Sequence, residues 1–587
     1  MNNADRAEFL VRHLSQLLCR AAGSDELSET VKELVRSTAA GHIALDIAGL
    51  SGDTAAIRTM LHASAIVGRP GEYRPLVFDN DDRLYLYRYW DYERRVADAL
   101  LQRAAINIKA HDTELFSSEL DRLFADPRAK RQKLAAAIAA MRGLTVVTGG
   151  PGTGKTTAVV KILALLLRLQ PGLRIALAAP TGKAAMRVGD AVREAKSGLP
   201  TEGLREQLPH EAATLHRLLQ LYPGHSRYGA DNRLPYDVVV VDEASMVGVA
   251  LMAQLLEALA DDSRLILLGD KDQLASVEPG SVLGDICSGN DIYSTRLQQQ
   301  LAGVGIGIAA QEQQRHALQD NVVVLDHSFR FSADSGIGQL ADSVRAGDSA
   351  RALELLRDPA QASVQLHEAD TARAVRDAVL PWLLSHLRSY MSAIDASTDP
   401  AEALACFEKF RLLCAVRHGS TGVAGMNALA EQSLAESGLA DTRDTWYAGR
   451  PVMITRNDYQ QQLFNGDVGV TLRLGEESRV VFASADGVRL LSPPRLPEHV
   501  TVYAMTVHKS QGSEFDDVAL VVPGQDNELL GRELAYTAVT RARNSVNVFG
   551  SSTALVQAIQ RVSQRTSGLA ANLLLREAGQ PEQRSLF

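Results

Sequence analysis

Short, predominantly apolar runs recur along the chain: Leu144–Val147, Ile175–Ala179, Val238–Val241, Leu265–Leu268 and, further on, Leu412–Val416, Asp517–Val522 and Val546–Phe549. A run without polar alternation predicts a strand buried on both faces, as in a parallel sheet covered by helices. Helix-forming stretches separate the runs, among them Lys155–Leu169 and Val423–Ser433. This pattern predicts two α/β units in tandem. The flanking texture differs. Phe9, Leu10, Leu14, Leu17 and Leu18 recur at helical spacing, and Asp25–Val35 and Ala55–Ile66 read as further helices. Leu76–Phe78 and Leu84–Tyr89 flank Asn80-Asp81-Asp82 and read as a β-hairpin, whose alternation puts Tyr85, Tyr87 and Tyr89 on one face. Short strands at Arg450–Arg456, Asp467–Leu472, Arg479–Phe482 and Gly487–Leu491, with turns at Asn457-Asp458, Asn465-Gly466 and Asp486-Gly487, predict a small β-barrel set into the second unit.

Chemistry gathers at the ends of these strands. After Leu144–Val147 come Gly149, Gly150, Pro151, Gly152, Thr153, Gly154, Lys155, Thr156 and Thr157, which fit G-x-x-x-x-G-K-[ST] between a strand and a helix. Glycines let successive N–H groups turn inward on phosphate oxygens, and the helix N-terminus adds its positive end. Lys155 reaches the β- and γ-phosphates, and the Thr156 hydroxyl suits Mg²⁺. Val238–Val241 delivers Asp242 and Glu243: Asp242 suits the metal shell, and Glu243 suits activation of an attacking water. Leu265–Leu268 ends in Gly269 and Asp270, which could support the metal shell, followed by Gln273, placed to touch the γ-phosphate. Gln132, before an Ala-rich helix, carries the donor and acceptor that an adenine edge needs. Thr181 and Lys183, at the start of a second helix, and Thr214 and His216 are candidate nucleic-acid phosphate contacts. The aromatic strand fits a local core, a protein-docking surface or base stacking.

Composition narrows the class. The chain has 587 residues and a net charge of −9, so a wholly basic nucleic-acid binder is excluded while a local basic groove is not. The four cysteines form no C-x-x-C pair, which predicts reduced thiols in a cytoplasmic protein. Neither a membrane-spanning run nor a signal peptide is expected. Residues 291–320 are Gln-rich and read as an exposed helical excursion, and residues 563–587 carry no functional signal.

In this order the motifs resemble superfamily 1 helicases. Ser328-Phe329-Arg330-Phe331 is similar to the segment that carries an arginine finger, Thr506–Phe515 to the segment that couples nucleotide state to the DNA track and includes His508, and Ala535–Arg543 to the last motif, where Arg541 would be a second γ-phosphate arginine. Leu84–Glu93, Val452–Asp458 and Phe464–Asp467 narrow the resemblance to the RecD family, the α subunits of bacterial RecBCD helicase–nucleases (exodeoxyribonuclease V). The resemblance implies two RecA-like motor domains, at residues 116–325 and 326–587, with an SH3-like insertion at about 448–502 and an N-terminal partner-docking domain at 1–115. It also implies ATP- and Mg²⁺-dependent 5′→3′ movement on single-stranded DNA at a duplex end, in a bacterial heterotrimer with RecB-like and RecC-like subunits that acts in double-strand break repair, homologous recombination and DNA degradation. Nuclease activity would belong to a partner. A stand-alone RecD-like helicase and a non-translocating ATPase switch or scaffold are the alternatives.

Overall fold

The computed structural model describes residues 3–574 except 24, 109–111, 198–201, 210, 223–224, 290–291, 312–315, 333–334, 398, 459, 485–486 and 525–528. Asp486 of the expected Asp486-Gly487 turn, part of the Gln-rich stretch and the last thirteen residues lie outside it.

Two parallel sheets carry the chain. In the first, the order is Val322–Leu325, Leu144–Gly149, Arg264–Gly269, Val238–Val241, Ile175–Ala179 and Ala213–Thr214, all parallel. Leu144–Gly149, Val238–Val241 and Arg264–Gly269 are buried throughout, as their predominantly apolar sequences require. In the second, the order is Val364–Glu368, Ala542–Gly550, Phe515–Val521, Phe410–Cys414 and Ala504–Thr506, again parallel. Parallel strands all end on the same edge, and the sequence motifs cluster on those edges.

Between Phe410–Cys414 and Ala504–Thr506 the chain leaves the second sheet and forms a five-stranded antiparallel one. Its order is Gly487–Leu491, Glu477–Ser484, Val468–Leu474, Pro451–Ile454 and His499–Thr501. Val452, Ile454, Leu463, Val480 and Phe482 form its own small core.

The N-terminal region departs from expectation. The helices Asn3–Ala22, Ser28–Ala39 and Thr54–Ala63 are as predicted, and the expected hairpin is present but lies within a four-stranded sheet that also takes in Ala44–Asp46 and Val67–Gly68; its aromatic strand stops at Leu86. Tyr87–Ala105 is a helix, so Tyr87 and Tyr89 do not extend a pleated face with Tyr85. The reason is the longer window: Glu93, Val96, Ala97, Leu100 and Arg103 are the buried positions, a helical period that outweighs three alternating tyrosines. This helix packs on Val249–Ala258, and Val77, Tyr85, Val96 and Leu100 share one core with Val239, Leu265 and Leu267 of the first sheet. The end of the described chain also returns here. Leu569 and Leu573 enter the same core, and Ile43 donates to the Thr566 carbonyl.

Among the described residues no helix is long and apolar enough to cross a membrane, and no group of three or more His, Cys, Asp or Glu side chains could hold a metal ion.

Candidate active site

The phosphate loop is shaped by its glycines. Gly152 and Gly154 both have φ of +76°, a conformation that costs a side-chain-bearing residue about 1 kcal/mol or more. Thr153 donates to the Gly150 carbonyl at 2.8 Å and closes the turn. Lys155 heads the helix Lys155–Leu169 and donates to the Gly149 and Gly150 carbonyls at 2.6 and 3.0 Å. Gln132 lies behind the loop. Its Nε2 donates to the Thr153 carbonyl at 2.9 Å, while its buried Oε1 has no protein partner.

Asp242 and Glu243 follow Val238–Val241. The Glu243 amide donates to Asp242 Oδ1 at 2.8 Å. Burial and the adjacent Glu243 carboxylate push the Asp242 carboxyl up, against that hydrogen bond and Lys155. Glu243 itself sits at φ +53°, ψ +39°, strained for a residue with a side chain. Thr156 and Asp242 offer a hydroxyl and a poorly solvated carboxylate on the same cleft wall, a hard-oxygen set that fits a divalent cation.

Asp270, one percent exposed, has its carboxylate engaged by protein donors. Its Oδ1 accepts from the Asp272 amide, and its Oδ2 accepts from Gln273 Nε2 at 2.9 Å and from the Tyr536 hydroxyl at 3.1 Å. Burial pushes its carboxyl up, while Lys155 opposes. Gln273 keeps a buried Oε1 without a protein partner.

The far wall comes from the second unit and the segment leading to it. The Phe329 amide donates to the Gly152 carbonyl at 2.8 Å, and the Arg330 Cβ lies so close that a side chain at Gly152 would collide with it. Arg330 donates to Glu514 at 2.6 Å, and Arg187 lies 3.0 Å from the same oxygen. Burial alone would push the Glu514 carboxyl up, but Arg187 and Arg330 outweigh it and hold it at about 2. Arg541 is buried and donates to the Thr537 and Ser513 carbonyls. Pro151–Thr157, Asp242, Glu243, Gln273, Arg330 and Arg541 therefore line one cleft of about 420 Å³, within the range of small-molecule sites.

Glu514, Tyr536, Arg187, Phe329 and Arg128 also belong to the site, though no local pattern marks them. Glu514 and Tyr536 lie inside quoted motifs, but only their contacts reveal a role. Arg187 carries no signature; it joins the cleft by bonding to Glu514 and to the Gly512 carbonyl. Phe329 lies 3.6 Å from where a Gly154 Cβ would be, beside Gln132, and the Arg128 guanidinium is 5.5 Å from its ring centre.

The proposed DNA contacts do not enter this cleft. The Thr181 and Thr214 hydroxyls accept from the Ala184 and Arg217 amides, and each caps a helical turn after a strand. Thr506 does the same for Lys509, next to His508. His216 is exposed and His508 half-buried. Lys183 faces Glu408 and Asp467 of the second unit, and burial pulls its amine down to about 8. Phe464 packs on Gly182, and Lys509 donates to Asn465, so the antiparallel sheet's Phe464–Asp467 loop bridges both units here.

Comparison with known proteins places this arrangement. A family model described as an AAA domain matches residues 132–279, and one described as a UvrD-like helicase C-terminal domain matches residues 501–549. The RecBCD enzyme subunit RecD of Mycobacterium tuberculosis is 40% identical over 580 residues, covering 96% of this chain and 94% of its own. That of Mycolicibacterium smegmatis is 38% identical over 581 residues, covering 96% of each. A Bacteroides Pif1 helicase solved with ADP-AlF3 and single-stranded DNA is 18% identical, with a TM-score of 0.35, and the likeness covers 72% of this chain and 91% of that one. The phosphate loop, the acidic strand end and the extent of the RecD match together give the conclusion: the chain belongs to the RecD family, the DNA helicase subunits of RecBCD-type enzymes.

Proposed function

We propose that the cleft hydrolyses ATP and that its opening and closing drives the chain 5′→3′ along single-stranded DNA. The observation that carries this reading is the convergence of Lys155, Asp242, Glu243 and Gln273 from one unit with Arg330 and Arg541 around one cavity. Gly149 to Thr157 would cradle the triphosphate, and Gln132 would offer Oε1 to the adenine amino group beside the Phe329 ring. Glu243 takes the proton of the attacking water as its oxygen bonds to the γ-phosphorus and the bond to the β-phosphate oxygen breaks. Arg330 and Arg541 supply positive charge to the phosphoryl group in flight, and Lys155 to the phosphates on either side of the breaking bond. A bound Mg²⁺, held by Thr156 and Asp242, would neutralise phosphate charge.

Thr181, Lys183, Thr214, His216 and His508 would meet the DNA backbone along the shared edge of the two sheets, a contact that positions without reading sequence. The boundaries near residues 115 and 325 and an SH3-like character for the inserted sheet belong to the same reading, as does assembly with RecB-like and RecC-like partners.

The test is strand separation on duplexes with a 5′ or a 3′ single-stranded tail, with Lys155→Gln as control. Unwinding from the 5′ tail, abolished in the variant, is the expected result. Unwinding from the 3′ tail overturns the polarity, and ATP hydrolysis that survives Lys155→Gln overturns the site.

A further inference from the structure

We propose that Tyr536 is a positioning residue for hydrolysis: by hydrogen bonding to Asp270 across the cleft, it locks the Gln273 side chain with its carbonyl oxygen toward the attacking water. This rests on the reading of the cleft as an ATPase site.

Three donors aim at the two oxygens of the Asp270 carboxyl group, which therefore acts as the acceptor. Asp270 Oδ2 receives two donors, Gln273 Nε2 and the Tyr536 hydroxyl, and Oδ1 receives the Asp272 amide. The nitrogen of the Gln273 amide is thereby fixed inward, so its oxygen is the end left over. That oxygen is buried, has no protein partner, and belongs to a residue lining the same cleft as Glu243. A carbonyl oxygen cannot donate to a phosphate oxygen. It can accept from an O–H, and a water held between Gln273 Oε1 and the Glu243 carboxylate would offer one hydrogen to each.

Tyr536 makes this arrangement depend on the second unit. It lies on the helix Arg532–Val539, immediately before Thr537, whose hydroxyl accepts from the Leu274 amide at 3.0 Å. Gln511 also donates to the Leu274 carbonyl, at 2.8 Å. The Tyr536 oxygen lies 2.9 Å from where a Gly150 Cβ would stand, so the hydroxyl is wedged between the phosphate loop and Asp270. Its burial keeps the phenol protonated and a donor. If the two units separate, Oδ2 loses one of its two donors, and the Asp270 carboxylate, no longer pinned by Tyr536, can turn and carry the Gln273 amide with it. Water positioning is then available when the units are apposed, which ties hydrolysis to closure.

The experiment uses the full chain with ATP, Mg²⁺ and oligo-dT, and follows steady-state hydrolysis. Tyr536→Phe removes one hydroxyl and keeps the ring. It is expected to lower DNA-stimulated kcat by about tenfold while KM for ATP stays within about twofold. Added to Gln273→Ala, it should cost less than about twofold more, because both act through one amide. Asp270→Asn gives the second variant: its amide can donate to Gln273 and turn it around, and the same loss and non-additivity are expected. Fluorescence titration with a nucleotide analogue confirms that each variant is folded. Wild-type kcat in Tyr536→Phe, or a loss that multiplies with that of Gln273→Ala, overturns the proposal. The Lys155→Gln control separates the two failures: if it still hydrolyses ATP, the site reading falls; if it is dead and Tyr536→Phe is normal, the positioning role alone falls.

Discussion

The cleft holds charges that water would otherwise screen. Asp242 is pushed up by burial and by Glu243, whereas Glu514 is held at about 2 by two arginines. The contrast separates the roles. Glu514 stays ionised and organises Arg187 and Arg330; the Asp242 carboxylate gains most from an added cation. Glu243→Gln preserves the shape of the cleft and removes the proton acceptor. Its hydrolysis should fall by about 10²- to 10⁴-fold with nucleotide binding retained, measured by single-turnover kinetics beside a binding titration. Phe329→Ala removes the ring beside Gln132. Loss of a stacking contact worth about 1 kcal/mol should raise KM for ATP severalfold and leave kcat nearly unchanged. A fall in kcat with KM intact would place the ring outside the base site.

Elements bring these residues together through one repeated device. A parallel strand ends and a threonine hydroxyl caps the helical turn that follows. Thr181, Thr214 and Thr506 are three instances, one of them in the second sheet. The C-terminal return is a different kind of element. Glu93, one percent exposed, accepts from the Gly568 amide at 2.8 Å and from Tyr85, and the Ser567 hydroxyl bonds to Asp285. Burial pushes Glu93 up to about 7, against the Gly568 hydrogen bond and Arg83. A carboxyl raised in the folded state binds more protons there than in the unfolded chain. Its favourable contribution is therefore complete below the unfolded pKa, near 4.5, and is lost as pH rises toward 7, by roughly 3 kcal/mol. Glu93→Gln should flatten that part of the pH dependence and raise the melting temperature relative to wild type at pH 8 more than at pH 5. Equal shifts at both values would show that Glu93 does not titrate in this interval.

Over the whole molecule, the two units meet largely through part-buried polar contacts, with Leu274 of the first packed against the core of the second. Arg187 bonds to Gly512 and Glu514, Gln511 and Thr537 bond to Leu274, and Tyr536 bonds to Asp270. Such an interface can break and reform at modest cost, since each hydrogen bond contributes a net ~1 kcal/mol. The segment after Gln560 runs from Glu533 of the second unit, where Ser563 is held, to the core of the first. It thus tethers both units outside the cleft. Arg187→Ala removes two of the cross-cleft contacts. The separation between probes on the two units should lengthen in the nucleotide-free chain and recover on binding a non-hydrolysable ATP analogue. An unchanged distance distribution would show that the remaining contacts suffice for closure.

The sequence alone determined the parts whose physics is local. Predominantly apolar runs marked the buried strands, glycine spacing marked the phosphate loop, and strand-end carboxylates marked Asp242 and Glu243. Motif order was enough to resemble the RecD family. Tertiary structure decided what depends on residues far apart in the chain. The register of Leu84–Glu93 is one case: alternation over three tyrosines read as strand, but the helical face that buries Val96 and Leu100 exists only against Val249–Ala258. The return of Leu569 and Leu573 to the first core is another, because nothing in a short C-terminal stretch names its distant partner. Arg187, Glu514 and Tyr536 are the third. Arginine, glutamate and tyrosine are common surface residues, and what makes these three part of the site is apposition of two units that no local pattern encodes.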